Sequence, residues 1–392
     1  MLVRLILILF LFGYTSVHGQ LLEELLASDS SKVVQRVLKD TGTYRLQIIY
    51  TEIVEKKSFW GKPQVQLTTH YFRNKPDEYF FPASLVKMPV AAFALEQLNI
   101  LAPQGINETT PFAPLSDFQC TGKTQINAPQ TTRDLINKIF VYSDNAAFNY
   151  LYELCGQAYI QQRLKEMGYK EARIVEKIAR CNATENLSTG PIAFYADHKV
   201  VHVEGRKEAT PPKPIPVDTK IGKGYILNGK MVYAPKDFSA SNYIPLQDLH
   251  TMLVSLVLPQ KTDDTKRFTI TEKQRRMLLT AMCTLPKTYC PDSCYGQNFK
   301  DNYMKYLMGS SDTLPAHWKI YNKVGLAHGF MSDCSYFEDT LAHIRFFLSA
   351  VIYVNEDGIL NDGKYEYATI GTPFLRRLGE LIYLREKKKQ NE

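Results

Sequence analysis

A serine and a lysine three residues apart are the side chains of this sequence best placed to do chemistry together. Ser84 and Lys87 stand at the two ends of Ser-Leu-Val-Lys, just after a proline that marks the entry into an apolar helical pattern. On a helix, side chains three positions apart share one face, with Cβ atoms about 5–6 Å apart. An uncharged lysine amine at that distance can remove the serine proton, and the serine can then attack an acyl carbon. The spacing therefore indicates covalent acyl transfer through Ser84.

Each motif also has an ordinary structural explanation. A serine at the start of a helix is most often an N-cap, and Ser143-Asp144-Asn145 is typical of a turn that caps the next helix. Lys323-Val324-Gly325 follows a β-rich run, where a surface lysine on an edge strand is common. Ser84 is, however, the only serine here with a lysine three residues later. The occurrence of all three motifs in this order favours a functional interpretation.

The three motifs resemble those of the penicillin-recognising serine enzymes, and most closely those of class A β-lactamases. The likeness continues into the flanking residues 81–90 and 141–150, and into Met167-Gly168-Tyr169, which is similar to the approach to the family's Ω loop. It covers most of the chain apart from residues 190–244. The resemblance implies an α/β (α+β) fold of the β-lactamase and transpeptidase type, with an antiparallel sheet flanked by helices plus an all-helical domain.

The same resemblance implies a role for each motif residue. Ser84 is the acylated nucleophile, Lys87 is its general base, and Ser143 passes a proton to the leaving nitrogen. On the substrate side, Asn145 holds the side-chain amide and Lys323 attracts the carboxylate. Gly325 and Leu326 line the substrate site, and the backbone N–H groups of Ser84 and Leu326 form the oxyanion hole.

Two departures from the family pattern bear on the reaction. Val324 replaces a hydroxyl residue of the lysine–glycine motif. The replacement removes a hydrogen bond to the substrate carboxylate, a loss worth about 1–3 kcal/mol of binding free energy. In the Ω loop, counting from Arg173, Ile178 occupies the position of the glutamate that activates the deacylating water. Glu176 and Glu185 are the nearest acids. Either one of them substitutes, with Glu176 as the named candidate, or turnover is slow.

The order of the patterns along the chain predicts how the domains are arranged. Strand-like runs near both termini predict one α/β domain made of residues 20–86 and 260–392. Helical periodicity between them predicts an inserted helical domain over residues 87–259. Within it, residues 190–244 contain a proline-rich stretch and a hairpin pattern turning at Asn228-Gly229, so this segment is predicted to be an extended insertion.

The N-terminus and the composition suggest where the protein acts. A basic start, a short apolar run and small residues before Gln20 predict a signal peptide over residues 1–19, cleaved near Gly19. The mature protein is therefore expected to be periplasmic or secreted, without stable membrane insertion. The net charge is +7, but no basic stripe interleaved with aromatic residues is present, so nucleic acid is not an expected partner.

Seven cysteines raise the questions of disulfides and metals. In an oxidising compartment the most plausible pairs lie within Cys283, Cys290 and Cys294, because only short loops need closing. Their spacing matches no standard zinc pattern, so no metal site is predicted. No cofactor is expected, and the protein is expected to be a monomer.

The sequence thus predicts an exported serine hydrolase of the class A β-lactamase type, which opens β-lactam rings through an acyl-enzyme on Ser84. Two alternatives stay open. One is a D-alanyl-D-alanine peptidase or transpeptidase that acts on peptidoglycan peptides, which the missing glutamate favours. The other is a penicillin-binding protein that is acylated and deacylates slowly.

Overall fold

The computed structural model describes residues 20–56, 64–115, 128–178, 183–289, 299–309 and 311–390. Its α-helices are α1 (Gln20–Ala27), α2 (Lys32–Lys39), α3 (Lys87–Leu101), α4 (Thr132–Tyr142), α5 (Asn145–Cys155), α6 (Gln157–Glu166), α7 (Ala183–Leu187), α8 (Leu246–Val257), α9 (Glu272–Cys283), α10 (Pro286–Tyr289) and α11 (Thr372–Gln390). Its strands are β1 (Gln47–Lys56), β2 (Gln64–Phe72), β3 (Pro111–Pro114), β4 (Gln130–Thr131), β5 (Ile192–Ala196), β6 (Lys199–Glu204), β7 (Lys220–Ile221), β8 (Gly224–Leu227), β9 (Lys230–Val232), β10 (Lys236–Asp237), β11 (Trp318–Ala327), β12 (Phe330–Asp339), β13 (Ile344–Tyr353) and β14 (Ile359–Leu360).

Within the described residues, an antiparallel sheet of five strands in the order β11-β12-β13-β1-β2 organises the fold. The two ends of the chain meet in this sheet, because β1 pairs with β13 through Gln47 opposite Val351. Strand β11 lies at one edge of the sheet, so one of its two sides has no paired strand among the described residues. This edge carries the lysine–glycine motif.

The side chains of β13 alternate between two apolar cores, as a strand's period of two requires. Phe347 and Val351 face one core, to which α8 and the helices around α3 contribute. Phe346 and Leu348 face the other, which is closed by α1, α2 and α11. The sheet is covered by helices on both faces, which explains why β13 is apolar along almost its whole length.

Helix α3 is the buried axis of the helical region. Nearly all of its residues, including Lys87 at its first position, are buried, as expected for a helix that is apolar all round. The continuous helical stretch Ala83–Gln104 is the one described segment that is long and apolar enough to cross a membrane, but most of it is buried inside the protein. It is a core helix by its packing. Its burial explains how a lysine comes to lie away from water.

The described residues between 177 and 241 form a segment whose two ends meet at one point, and we name this segment the excursion. It contributes Phe194 and Phe238 to the core around α3. Its neck is closed by Asn242, whose side-chain oxygen accepts hydrogen bonds from the backbone N–H groups of Val175 at 2.7 Å and Glu176 at 3.0 Å. Arg173 and Tyr243 form a β-bridge across the same neck. Strands β5 and β6 of the excursion extend a sheet in the order β4-β3-β5-β6.

The predicted architecture is present: a five-stranded antiparallel sheet is flanked by helices and is joined to a largely helical region around α3. The hairpin at Asn228-Gly229 is also confirmed, since β8 and β9 pair directly across it. The domain boundaries at residues 86 and 259 stay predictions. The cysteines Cys120, Cys181, Cys290 and Cys294 and the predicted signal peptide lie outside the described residues. Cys283 is half-buried and forms no disulfide with another described residue.

Candidate active site

The nucleophile candidate lies in a strained turn. Ser84 belongs to a short 3₁₀-helix, Ala83–Val86, which leads directly into α3. Ala83, immediately before it, has a φ of +47°, and a non-glycine residue in the left-handed region costs about 1–3 kcal/mol. The Ser84 N–H lies at the start of a helix, where the first amide groups have no partner within the helix. Ser84 is half-buried, and none of the hydrogen bonds between described residues involves its hydroxyl.

Lys87 lies fully buried at the start of α3, one turn after Ser84. Its ammonium donates to the side-chain oxygen of Asn145 at 2.7 Å and reaches the Ser143 hydroxyl at 3.3 Å. It also donates to the backbone carbonyl of Ser143. The first two predicted motifs are therefore in direct contact.

Ser143 and Asp144 form the two-residue connection between α4 and α5, and Asn145 is the first residue of α5. Asp144 is the N-cap of α5, as a turn that caps a helix predicts. Its carboxylate accepts a hydrogen bond from the Ala147 N–H at 2.7 Å. Ser143, with a φ of +57°, ends α4 in the left-handed region, and this turns its hydroxyl and carbonyl toward Lys87. Asn145 is exposed, so its amide can reach a ligand while its oxygen holds the lysine.

Lys323 approaches the same serine from the sheet. It is 2% exposed on β11, and its ammonium donates to the Ser143 hydroxyl at 2.8 Å and to the Val324 carbonyl at 3.0 Å. The Ser143 hydroxyl thus lies between two lysine nitrogens, one from α3 and one from β11. All three motifs predicted from the sequence converge on this one oxygen.

Burial controls the charge of both lysines. Loss of solvation disfavours an ammonium group, and a nearby like charge disfavours it further. For Lys87, burial and then the neighbouring Lys323 hold the pKa well below its usual value. For Lys323, burial lowers the pKa to about 7, against a raising influence from Asp333. Lys87 is therefore the stronger candidate for an uncharged amine at neutral pH, while Lys323 retains part of its charge.

A glycine brings the sheet against the nucleophile turn. A Cβ placed on Gly325 would lie 2.5 Å from the backbone oxygen of Pro82 and 2.6 Å from the Ser332 hydroxyl. No side chain larger than hydrogen fits there without moving the backbone. Leu326, the next residue, is 43% exposed at the mouth of the site, and Val324 is buried. Gly325 and Leu326 therefore border the Ser84 turn, as predicted.

Comparisons with known proteins found one matching family model and several similar solved structures. Residues 31–213 match the model of the β-lactamase enzyme family. The fold resembles a β-lactamase from Burkholderia vietnamiensis, with 14% identity, coverage of 94% of this chain and 97% of that chain, and a TM-score of 0.51. It also resembles PBP-A, solved as a mutant in an acyl-enzyme complex with penicillin G, with 13% identity, coverage of 93% and 97%, and a TM-score of 0.50. No curated protein shows significant sequence similarity to the chain.

The resemblance to the penicillin-recognising, class A-like β-lactamase family is confirmed. Ile178 lies in the segment that resembles the family's Ω loop. The side chain of Asn149, one turn after Asn145 on α5, donates to the Ile178 carbonyl at 2.9 Å and accepts from its N–H at 2.8 Å. These two bonds fix the backbone of Ile178 beside the helix that carries Asn145. An apolar side chain therefore stands where the resemblance places the water-activating glutamate.

Glu176 lies at the neck of the excursion. Its carboxylate accepts from the Ser241 hydroxyl at 3.4 Å, and burial raises its pKa. Among the described residues, Glu176 has no hydrogen bond or ion pair with Ser84 or Lys87. The structure thus brings six predicted residues around one site, namely Ser84, Lys87, Ser143, Asn145, Lys323 and Gly325, with Leu326 at its mouth. The catalytic role of Glu176 stays a prediction.

His328 forms one border of the site. Its position two residues after Leu326 suggests this from the sequence, although a polar loop histidine is the more common explanation. His328, in the tight turn between β11 and β12, packs against Phe81 at 4.9 Å and Phe238 at 5.2 Å between ring centroids. Phe81 leads into the Ser84 turn, whereas Phe238 comes from the excursion. Burial lowers the His328 pKa to about 4, so the imidazole is neutral at physiological pH.

The arrangement supports acyl transfer by a serine and two lysines. A buried neutral amine, a hydroxyl and a retained positive charge can move a proton and hold an anionic substrate. In the described part of the chain, no group of three His, Cys, Asp or Glu side chains could hold a metal ion.

Proposed function

We propose that this protein is a serine hydrolase of the β-lactamase type that is acylated at Ser84 by β-lactams and releases the acyl group slowly. The observation that carries this proposal is the Ser143 hydroxyl, held between the Lys87 and Lys323 nitrogens at 3.3 and 2.8 Å. A hydroxyl between two amines can accept a proton from one of them and donate its own proton to a bound group, without moving.

The acylation step uses these groups in order. The neutral Lys87 amine accepts the Ser84 proton as the serine oxygen attacks the lactam carbonyl carbon. The backbone N–H groups of Ser84 and Leu326 stabilise the oxyanion. When the C–N bond breaks, the nitrogen takes the Ser143 proton, and the Lys87 ammonium returns a proton to Ser143. In net terms, one proton moves from Ser84 to the leaving nitrogen, and Lys87 and Ser143 end as they began.

Release of the acyl group requires an activated water. The position that the family uses for this purpose holds Ile178, which cannot accept a proton, and Glu176 lies at the neck of the excursion. We therefore expect the acyl-enzyme to accumulate. The same observation favours a second candidate function, a D-alanyl-D-alanine peptidase or transpeptidase, in which an amine or water of the cell-wall reaction accepts the acyl group.

One experiment tests the proposal. The protein is mixed with a chromogenic cephalosporin, and colour and protein mass are followed together. A single stoichiometric burst with an adduct on Ser84 is the expected result, and Ser84→Ala should give neither. Sustained colour would establish a fast lactamase and reject slow release, whereas the absence of both colour and adduct would reject acylation altogether.

Export belongs to the same proposal. We infer that residues 1–19 direct export of the chain from the cytoplasm. Outside the cytoplasm, the protein would meet β-lactams and peptidoglycan peptides. N-terminal sequencing of the protein from its native host should begin at Gln20, and a mature protein that retains the apolar run of residues 5–12 would contradict this.

A further inference from the structure

A buried charged network lies behind β11, on the face of the sheet opposite the active site. Side chains along a strand alternate between its two faces, so Asn322 points away from the face that carries Lys323. On that opposite face, Ile320 of β11 and Met331 and Phe337 of β12 belong to the core closed by α1, α2 and α11. The active site and this network therefore share one strand.

Lys305 is the cation of this network. It is 2% exposed, and its ammonium donates to the Met282 carbonyl at 2.8 Å, the Ile320 carbonyl at 3.1 Å and the Asn322 side-chain oxygen at 2.6 Å. An ammonium group has three N–H donors, so each of them has an acceptor here. Burial lowers the pKa of Lys305 to about 8, and the side chain is therefore mostly charged at neutral pH.

Asp333, fully buried on β12, is the anion of the network. Its carboxylate accepts from the Asn322 amide and the Ser335 hydroxyl, both at 2.8 Å, and from the Leu307 N–H at 3.1 Å. The amide of Asn322 therefore joins Lys305 to Asp333. Burial raises the pKa of Asp333, but its three partners all donate to it, and donors of this kind favour the ionised form.

The network reaches Lys323 through the backbone and through the paired strand. Asn322 directly precedes Lys323 in β11. Val324, whose carbonyl accepts from the Lys323 ammonium at 3.0 Å, lies directly opposite Asp333 in the pairing of β11 with β12. Opposite residues of an antiparallel pair have Cα atoms about 4.5–5.5 Å apart, which puts the Asp333 carboxylate on the order of 10 Å from the Lys323 ammonium.

Other titratable groups of the described chain also surround Lys323. On α3, Lys87 contacts the same hydroxyl as Lys323 does. On β12, Cys334 lies directly opposite Lys323, but burial raises the pKa of its thiol to about 12, so it is uncharged at neutral pH. In the connection between α4 and α5, the carboxylate of Asp144 caps α5. Lys323 therefore has lysines on both faces of the sheet, and the Asp333 carboxylate offsets part of their positive charge.

We propose that Asp333 and Lys305 are positioning residues that control the charge of Lys323 from the opposite face of β11, the carboxylate favouring its ammonium form and the second lysine opposing it. This rests on the proposed function, in which Lys323 attracts the substrate carboxylate. The same influences act on the pKa of Lys323: burial lowers it, Asp333 raises it and Lys305 lowers it further. Because the sheet separates the network from the reacting face, both residues act without touching the substrate.

Two substitutions with opposite expected effects test this role. Acylation of Ser84 by a penicillin is measured against pH, with the methyl ester of the same penicillin as the reference, and the midpoint of the fall in rate is determined. Asp333→Asn removes the favourable charge and should move the midpoint to a pH about one unit lower, whereas Lys305→Met removes the unfavourable charge and should move it higher. Structural damage alone would slow the penicillin and its ester equally and leave the midpoint in place. A midpoint that stays in place, or moves the other way, rejects the role of the residue that was replaced.

Asp339→Asn is the matched control. Asp339 is a second buried carboxylate on β12, and it accepts from the backbone N–H groups of Leu341 at 2.9 Å and Ala342 at 2.8 Å. It lies six residues beyond Asp333, about 20 Å along the strand. Its replacement should leave the midpoint as in the parent protein, even if stability falls. An equal shift in Asp339→Asn would show that the loss of any buried carboxylate moves the midpoint, and it would overturn the proposal.

NMR of Ser84→Ala with ¹³C-labelled lysine gives a readout that needs no acylation. The Lys323 signal is the one that disappears when Lys323→Met is added, and its titration midpoint should fall with Asp333→Asn and rise with Lys305→Met. Such shifts support the positioning role even if no penicillin acylates the parent protein, which would reject only the proposed function. Titration midpoints that do not move in either variant overturn the positioning role.

Discussion

At the scale of single residues, the site depends on the charge state of one buried amine. Lys87 can act as a base only because burial and Lys323 lower its pKa. Replacement by alanine removes the proton acceptor and leaves the Asn145 and Ser143 oxygens without their donor. Acylation of Lys87→Ala should fall by about 10²–10⁴-fold, the usual contribution of a general base. Stopped-flow measurement of adduct formation checks this, and an unchanged rate would rule out Lys87 as the base.

Lys323 gives the reaction its dependence on pH. Since burial lowers its pKa to about 7, Lys323 is charged below that pH and neutral above it. Attraction of a substrate carboxylate is therefore present in acid and lost as the pH rises, by roughly 10-fold or more for one charge-assisted contact. The acylation rate constant for a penicillin should fall between about pH 6 and pH 8.5. The methyl ester of the same penicillin serves as the control, and an equal fall for the ester would contradict this role.

Ile178 determines whether the acyl group leaves. Its backbone is fixed by Asn149 next to α5, so a carboxylate introduced there is held beside the helix that carries Asn145. Ile178→Glu should shorten the lifetime of the acyl-enzyme by about 10-fold or more, since a general base can contribute 10²–10⁴-fold. Ile178→Gln has the same shape without the base and should keep the long lifetime. Mass spectrometry over time measures both, and equal lifetimes would show that water activation is not what limits release.

At the scale of elements, the sequence predicted the parts of the site that local spacing determines. The Ser84-x-x-Lys87 turn could be identified because both residues lie on one helical stretch. The same holds for Ser143 and Asn145, which span a short joint between two helices. The chemical roles of these residues still await the measurements above, but their convergence was predictable. The aromatic contacts of His328 were not predictable, because Phe81, Phe238 and His328 come from three distant segments without a shared local pattern.

The approach of β11 to the nucleophile turn gives a prediction about two elements together. A methyl group on Gly325 would lie 2.5 Å from the Pro82 carbonyl, so the strand and the turn must separate. A shift of about 1 Å in a reacting group can reduce a rate by 10²-fold. Gly325→Ala should therefore slow acylation by about 10–100-fold. Gly205→Ala, where nothing lies within 4 Å of the added carbon, is the control, and parent-like acylation by Gly325→Ala would show that the turn does not depend on this approach.

At the scale of the whole molecule, the excursion connects the Ω-loop region to the border of the site. The sequence predicted an inserted segment over residues 190–244, laid across the helical region toward the cleft, but not that Asn242 closes its neck. The neck joins Val175 to Asn242 across 67 positions of sequence. Contacts at that separation leave no periodicity in the chain, and only the folded arrangement shows them.

The neck also determines how firmly the excursion is held. Asn242 is 3% exposed and satisfies two backbone N–H groups, and leaving a buried donor unpaired costs about 1–3 kcal/mol. Asn242→Ala should lose that much unfolding free energy in urea titrations, and the excursion should become more sensitive to limited proteolysis. Asn74→Ala, whose amide makes a single exposed hydrogen bond with Gln247, should change neither. If Asn242→Ala is destabilised while its cleavage pattern stays as in the parent, Asn242 stabilises the core alone and the excursion is held by its strands.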